Sequence, residues 1–234
     1  MIPLHVDQRE YTYLNPGTMG RVCEKWSVKK RENFVKTVEK FDDKFHELTA
    51  KVLSHYNVTE KDLRASGFDV AFDSMYCKMA HKMDDVPAHF TDDDLFEFGK
   101  YMARIHCGMM NYDRESLRLS WGHVAYQMIE KMKMHDGKFM ISSCHDNSLL
   151  AVLCSIYGEK IFEIDQAWPY YGDFVTFEVW KDDNNEQRFV KFLYNAEIVS
   201  DAFDGKDVIS LNDLESKWKD IMIDEDTYFN RACV

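Results

Sequence analysis

The hydrophobic pattern of this chain changes near residue 136, and that change restricts the fold more than any other feature. Upstream, apolar residues recur at steps of three and four, the spacing of one buried helical face. Downstream, short apolar runs alternate with helical ones, the mark of an α/β arrangement. Phe34, Val38, Phe41, Phe45, Leu48 and Val52 predict one long amphipathic helix that starts near Ser27. Thr59-Glu60-Lys61-Asp62 reads as a capped helix start and Gly67 as its stop. Phe68 to Met79 continues with helical spacing, and Pro87 then breaks the chain. Thr91 is an N-cap signal, and Asp92, Asp93 and Asp94 fall in the first turn, where the macrodipole favours carboxylates. Cation binding is the other reading of that triplet. Leu95, Phe98, Met102 and Ile105 give the next buried stripe, and Trp121 to Met134 the next helix.

The stretch from Lys138 to Gly158 carries the most chemical information. Phe139-Met140-Ile141 reads as a buried strand that ends in small residues. Cys144, His145 and Asp146 follow, then a helix bearing Leu149, Leu150, Val152, Leu153 and Ile156 that stops at Gly158. Helix N-termini present free N–H groups and partial positive charge, so anions collect there. An imidazole and a carboxyl group at that point suggest phosphate chemistry. His145 would hold phosphate oxygens, and Asp146 would deliver a proton to a leaving alkoxide. The plainer reading has Asp146 capping the helix and His145 filling a polar niche. Farther on, Asp173 to Trp180 and Arg188 to Tyr194 flank an Asp/Asn-rich turn and read as a hairpin. Ser210 caps a last helix from Leu211 to Lys219.

A length of 234 residues suits one domain with an inserted subdomain, or two small domains. A net charge of −12 argues against a nucleic-acid or anionic-membrane surface. No apolar run approaches a membrane span, and residues 1–7 lack the charged start and apolar segment of a signal peptide. As written, the sequence reads as soluble and not exported. Cys23, Cys77, Cys107, Cys144, Cys154 and Cys233 include no C-x-x-C pair, so zinc and thioredoxin-type sites have little support. Cys154 reads as a small buried hydrophobe. Asn57-Val58-Thr59 is a glycosylation sequon, relevant only to a secreted chain. His106 and His123 lie within helices, and no H-x-x-x-H or H-E-x-x-H spacing is present. Neither a metal nor a cofactor is expected.

Several of these segments occur in a familiar order. Ser143-Cys144-His145-Asp146-Asn147-Ser148-Leu149-Leu150 comes first, then Trp168-Pro169-Tyr170-Tyr171. Val175-Thr176-Phe177-Glu178-Val179 and Phe189 to Asn195 follow. Together they resemble the C-terminal half of a histidine acid phosphatase, closest to the lysophosphatidic acid phosphatase branch. The likeness covers about residues 138 to 199 and is weaker upstream, through Ile2 to Val6, Cys23 and Asp73 to Cys77. It implies a phosphoglycerate-mutase-like three-layer α/β/α core, here partial, with a helical cap. Residues 1–25 would be a core segment, 26–120 the cap and 121–234 the α/β core with the His-Asp motif.

In that family two half-sites converge on one phosphate. One is an Arg-His-Gly-x-Arg-x-Pro motif whose histidine is the nucleophile. The other is the His-Asp motif, which makes His145 a phosphate ligand and Asp146 the proton donor. No Arg-His pair occurs in this sequence, and Arg104-Ile105-His106 is the nearest approach. By resemblance the chain begins after that motif, so a truncated product of a complete enzyme is expected, with a diverged, inactive binding or scaffold protein as the alternative. This polypeptide alone is expected to hydrolyse phosphomonoesters weakly or not at all. The missing strand would also leave an edge unpaired beside the His-Asp strand, an aggregation risk. The resemblance further implies a Cys23–Cys233 disulfide, whereas Cys77 lacks its family partner because Asp173 stands near that position. A small phosphomonoester or a lysophospholipid is the implied substrate, and a second copy of the chain is a possible partner. Secretion or a lysosomal location follows only if a complete parent carries a signal peptide. Trp168, Tyr170 and Tyr171 could line a lipid-accepting mouth or belong to the core.

Overall fold

A computed structural model describes residues 23–59, 61, 68–83, 90–134, 139–162 and 168–233. Helices lead: α1 (Glu24–Val38), α2 (Asp43–Tyr56), α3 (Phe68–Ala80), α4 (Asp92–Asn111), α5 (Arg114–Lys133) and α6 (Asp146–Tyr157). A small sheet follows, with β1 (Val175–Lys181), β2 (Arg188–Tyr194), β3 (Glu197–Ile198) and β4 (Ile209–Ser210), and α7 (Leu211–Trp218) closes the order of longer elements. The strands run β1-β2-β3, all antiparallel, and β4 also pairs with β2. The architecture is mostly helical with a small antiparallel sheet, which fits the expected α/β fold with a helical subdomain.

Local signals set most element boundaries. Thr91 and Asp94 close a full capping box: the Thr91 hydroxyl accepts the Asp94 N–H, and the Asp94 carboxylate accepts the Thr91 N–H, each at 3.1 Å. The acidic triplet therefore starts α4. The turn at Asp182 to Glu186 joins β1 to β2, whose register pairs Val175 with Tyr194 and Lys181 with Arg188. Ser210 caps α7 by accepting the Asp213 N–H at 3.0 Å. The helix expected at Trp121 begins earlier, at Arg114, because the Asp113 carboxylate accepts the Ser116 N–H at 2.7 Å.

Two expectations fail. The long helix from Ser27 is two helices, α1 and α2, separated at residues 39–42. Asp42 takes extended backbone angles and accepts the Phe45 N–H, restarting the chain as a new helix. Phe41 meanwhile packs edge-on against Phe45 and Tyr101. The six-residue stripe thus continues across the break because the two helices share one core. The second failure concerns residues 139–145, which form no strand and lie exposed, with Phe139 and Ile141 each at 76%. A strand exists through ladder bonds to a neighbour, and the four described strands all pair among themselves. The expected start at Thr59 to Asp62, the stop at Gly67 and the turns near Pro87 and Gly137 lie wholly or largely outside the described residues.

The core forms two apolar clusters. One gathers Cys23, Trp26, Leu117, Trp121, Leu150, Phe192, Trp218 and Tyr228. The other gathers Phe45, Leu48, Phe68, Phe72, Phe98 and Met102. Helix α4 serves both, giving Ala103, Cys107 and Met110 to the first and Phe98, Met102, Ile105 and Met109 to the second. Half-buried Trp168 packs against each. Cys23 and Cys233 form the disulfide that the resemblance implies.

Candidate functional site

The site begins where α6 begins. His145 is the N-cap, in extended conformation, and Asp146 is the first helical residue. The Ser148 hydroxyl accepts the His145 N–H at 3.3 Å, and the Ser148 N–H returns to the His145 carbonyl at 3.0 Å. The Asn147 N–H donates to Asp146 Oδ1 at 2.6 Å. These bonds fix the first turn without using the imidazole.

Burial fixes the rest of the helix. Every residue from Ser148 to Ile156 is buried, and Leu150, Cys154 and Ile156 have no exposed surface. Each large aliphatic side chain sequestered here contributes about 1.5–3 kcal/mol of gross hydrophobic stabilisation. Gly158 ends the helix at φ +60°, a conformation that side chains other than glycine's rarely adopt. The helix is held by its body, while His145 and Asp146 stand in solvent at its positive end. The sequence therefore located the two residues correctly but misjudged what delivers them, since the segment before them is exposed and irregular. Next to them, desolvation pushes the Cys144 thiol above its ordinary value, the nearby Asp146 charge adds to the rise, and a hydrogen bond with Ser148 opposes it.

The Arg104-Ile105-His106 stretch does not supply the other half of a phosphate clamp. Arg104 is exposed on α4 and lies 5.9 Å from the Tyr101 ring. His106 is buried, its ring 4.9 Å from that of Trp168. Residues two apart on a helix point to different faces, and these two do. Among the described residues, no group of three or more His, Cys, Asp or Glu side chains is placed to hold a metal ion. No described helix is long and apolar enough to cross a membrane.

Asp173 has a role that sequence reasoning missed. Its carboxylate accepts the Tyr194 hydroxyl at 2.6 Å, the Asn195 amide at 2.8 Å and the Tyr170 N–H at 2.9 Å. Asn195 in turn accepts the Phe174 N–H at 3.0 Å. Asp173 thus ties the Trp168 to Tyr171 segment to the end of the hairpin. The Tyr-Asn pair at the end of β2 was the available signal, because it offers two donors to one carboxylate. Cys77 is a free thiol whose sulfur lies 3.2 Å from the Tyr171 hydroxyl. That contact, with burial and the Asp73 carboxylate, holds the Tyr171 phenol well above its usual range. Of the three aromatics considered for a lipid mouth, Trp168 packs into the core, and Tyr170 and Tyr171 are exposed. Tyr170 and Trp168 join Phe72, Tyr76, Leu95 and Phe96 around a cleft of about 350 Å³.

A comparison with curated proteins returns no match. A comparison with protein families matches the histidine phosphatase superfamily (branch 2) across residues 6–195. That span includes the His-Asp motif at the head of α6 and runs to Asn195, the residue that completes the Asp173 brace. The chain belongs to the histidine phosphatase superfamily, branch 2.

Proposed function

We propose that this chain carries the proton-donor half of a phosphomonoester hydrolase site. His145 binds phosphate oxygens, and Asp146 protonates the leaving alkoxide. The observation that supports this reading is the pairing of an exposed imidazole and an exposed carboxyl at the N-terminus of an otherwise buried helix, in a chain of this family. The helix end attracts the dianion. A carboxyl group one residue away gives up its proton as the ester bond breaks.

The second half-site sets the limit on rate. Phosphoryl transfer depends on cationic stabilisation of the equatorial oxygens and on an in-line attacking group. General acid catalysis supplies about 10²–10⁴-fold, while phosphate monoesters demand accelerations of up to about 10²¹. No Arg-His pair is present to make up the difference. The purified chain is therefore expected to bind phosphate without turning esters over. The substrate class this reading favours is a small phosphomonoester or a lysophospholipid.

Two measurements test this. Titration with inorganic phosphate should shift the backbone amide resonances of residues 145–148 in the intact chain, and His145→Ala should abolish the shifts. Hydrolysis of p-nitrophenyl phosphate at acid pH should stay at background. Turnover that disappears in Asp146→Ala would overturn the half-site reading. Amides 145–148 that ignore phosphate would remove His145 from the ligand role and leave the fold as a scaffold.

A further inference from the structure

Helices α4 and α6 meet at their C-terminal ends. The Asn111 side-chain amide donates to the Gly158 carbonyl at 2.7 Å, joining the last residue of α4 to the residue that ends α6. One turn back from each lies a cysteine. Cys107 is four residues before Asn111, and Cys154 is four before Gly158. Residues four apart share a helical face, so Cys107 lies on the face of α4 that carries Asn111. Both are free thiols, buried at 3% and 0% exposure in one apolar cluster. Cys107 lies close enough to bear on the Cys154 thiol.

Helix packing in general allows a covalent bond between facing residues. Helices pack with axes about 8–10 Å apart, and their Cα atoms lie on a radius of about 2.3 Å, so directly facing Cα atoms come within about 3.4–5.4 Å. Disulfides span about 4.4–6.8 Å between Cα atoms. The chain already holds one such bond, between Cys23 and Cys233.

We propose that Cys107 and Cys154 are a second cross-linking site, which closes to a disulfide between α4 and α6 when the chain folds with a low-molecular-weight disulfide as oxidant. One thiolate attacks the oxidant's S–S bond, forms a mixed disulfide and releases one oxidant thiol. The other attacks the protein sulfur of that mixed disulfide, forms the Sγ–Sγ bond and releases the second thiol. The protein gives up two protons and two electrons, and the oxidant takes both pairs. Burial sets the timing. Once α4 and α6 have docked, the oxidant cannot reach these sulfurs, and desolvation together with the Cys107 contact raises the Cys154 thiol well above its usual value. Exchange therefore precedes docking, and the folded dithiol is inert. The bond would fasten the helix that carries His145 and Asp146 to the central helix of the core.

The test is oxidative refolding of the intact chain in a glutathione redox buffer, followed by alkylation under denaturing conditions. Chymotryptic peptides then separate Cys144 from Cys154. The expected result is two alkylated thiols per chain, Cys77 and Cys144, with a peptide linking Cys107 to Cys154. In Cys107→Ser the count should rise to three. Four free thiols in refolded wild type, or a bond from Cys107 or Cys154 to any other cysteine, would overturn the proposal. A Cys77→Ser/Cys144→Ser chain repeats the measurement where exposed thiols cannot scramble the pairing, and it should show no free thiol. Chain folded in the presence of reductant and then moved to the same redox buffer should keep both buried thiols, while rapid oxidation there would contradict the ordering.

Discussion

Asp94 shows how one side chain can hold several contacts at once. It caps α4 and also receives Lys51 at 3.1 Å and Lys44 at 3.3 Å. Burial pushes its carboxyl upward, but the Thr91 N–H and the two ammonium groups outweigh burial and hold it below its ordinary value. A carboxyl depressed in the folded state adds stability above its unfolded value, near pH 4, and loses that contribution as pH falls through the folded value. Urea unfolding should therefore show wild type more stable than Asp94→Asn at pH 7, with the gap closing below about pH 4. Thr91→Ala should cost about 1 kcal/mol at neutral pH through the lost cap. Both residues were legible in the sequence, because a cap is a local pattern with a local cause. His145 and Asp146 were legible for the same reason, since a dipeptide before an apolar helical run can be placed without tertiary knowledge. Asp173 was not, because two of its three donors, Tyr194 and Asn195, are brought close only by the hairpin.

The element scale shows where sequence periodicity stops being informative. The stripe from Phe34 to Val52 predicts the buried face correctly, yet it cannot tell one straight helix from two that share a core. The deciding residue was Asp42, whose capping bond to Phe45 is again local. Residues 139–141 failed differently, because a strand needs a partner and a sequence does not say which partner is present. Close approach between elements is equally hidden. Gly122 sits in α5 where an added Cβ would collide with the backbone carbonyl of Ile221. The Ile223 N–H donates to the Gly122 carbonyl at 3.3 Å, so the two segments are already joined there. Gly122→Ala should cost about 1–3 kcal/mol by overpacking, although alanine is the better helix former. A stability gain from that substitution, measured by denaturant midpoint, would show that the 221–223 segment moves aside freely.

On the scale of the whole molecule, the Cys23–Cys233 bond ties the start of α1 to the C-terminal segment. Only the family resemblance suggested it, since no spacing rule joins cysteines that far apart. Both ends lie against the same apolar cluster, so the bond also holds Trp26 and Tyr228 in place. In the chain-entropy account a loop this long stabilises by about 5 kcal/mol. Cys23→Ser/Cys233→Ser should lower the unfolding free energy by about 2–5 kcal/mol, as measured by calorimetry of that variant beside wild type without reductant. The α/β class was legible from the change in periodicity near residue 136. The division of the core into two clusters was not, because α4 is buried nearly all round and its sequence does not say which neighbour each face meets. Phe139, Met140 and Ile141 are adjacent and all exposed, so an apolar triplet lies on the outside of the protein, shortly before the head of α6. Copies at high concentration should associate there, and a mild detergent that coats the triplet should also crowd the head of α6.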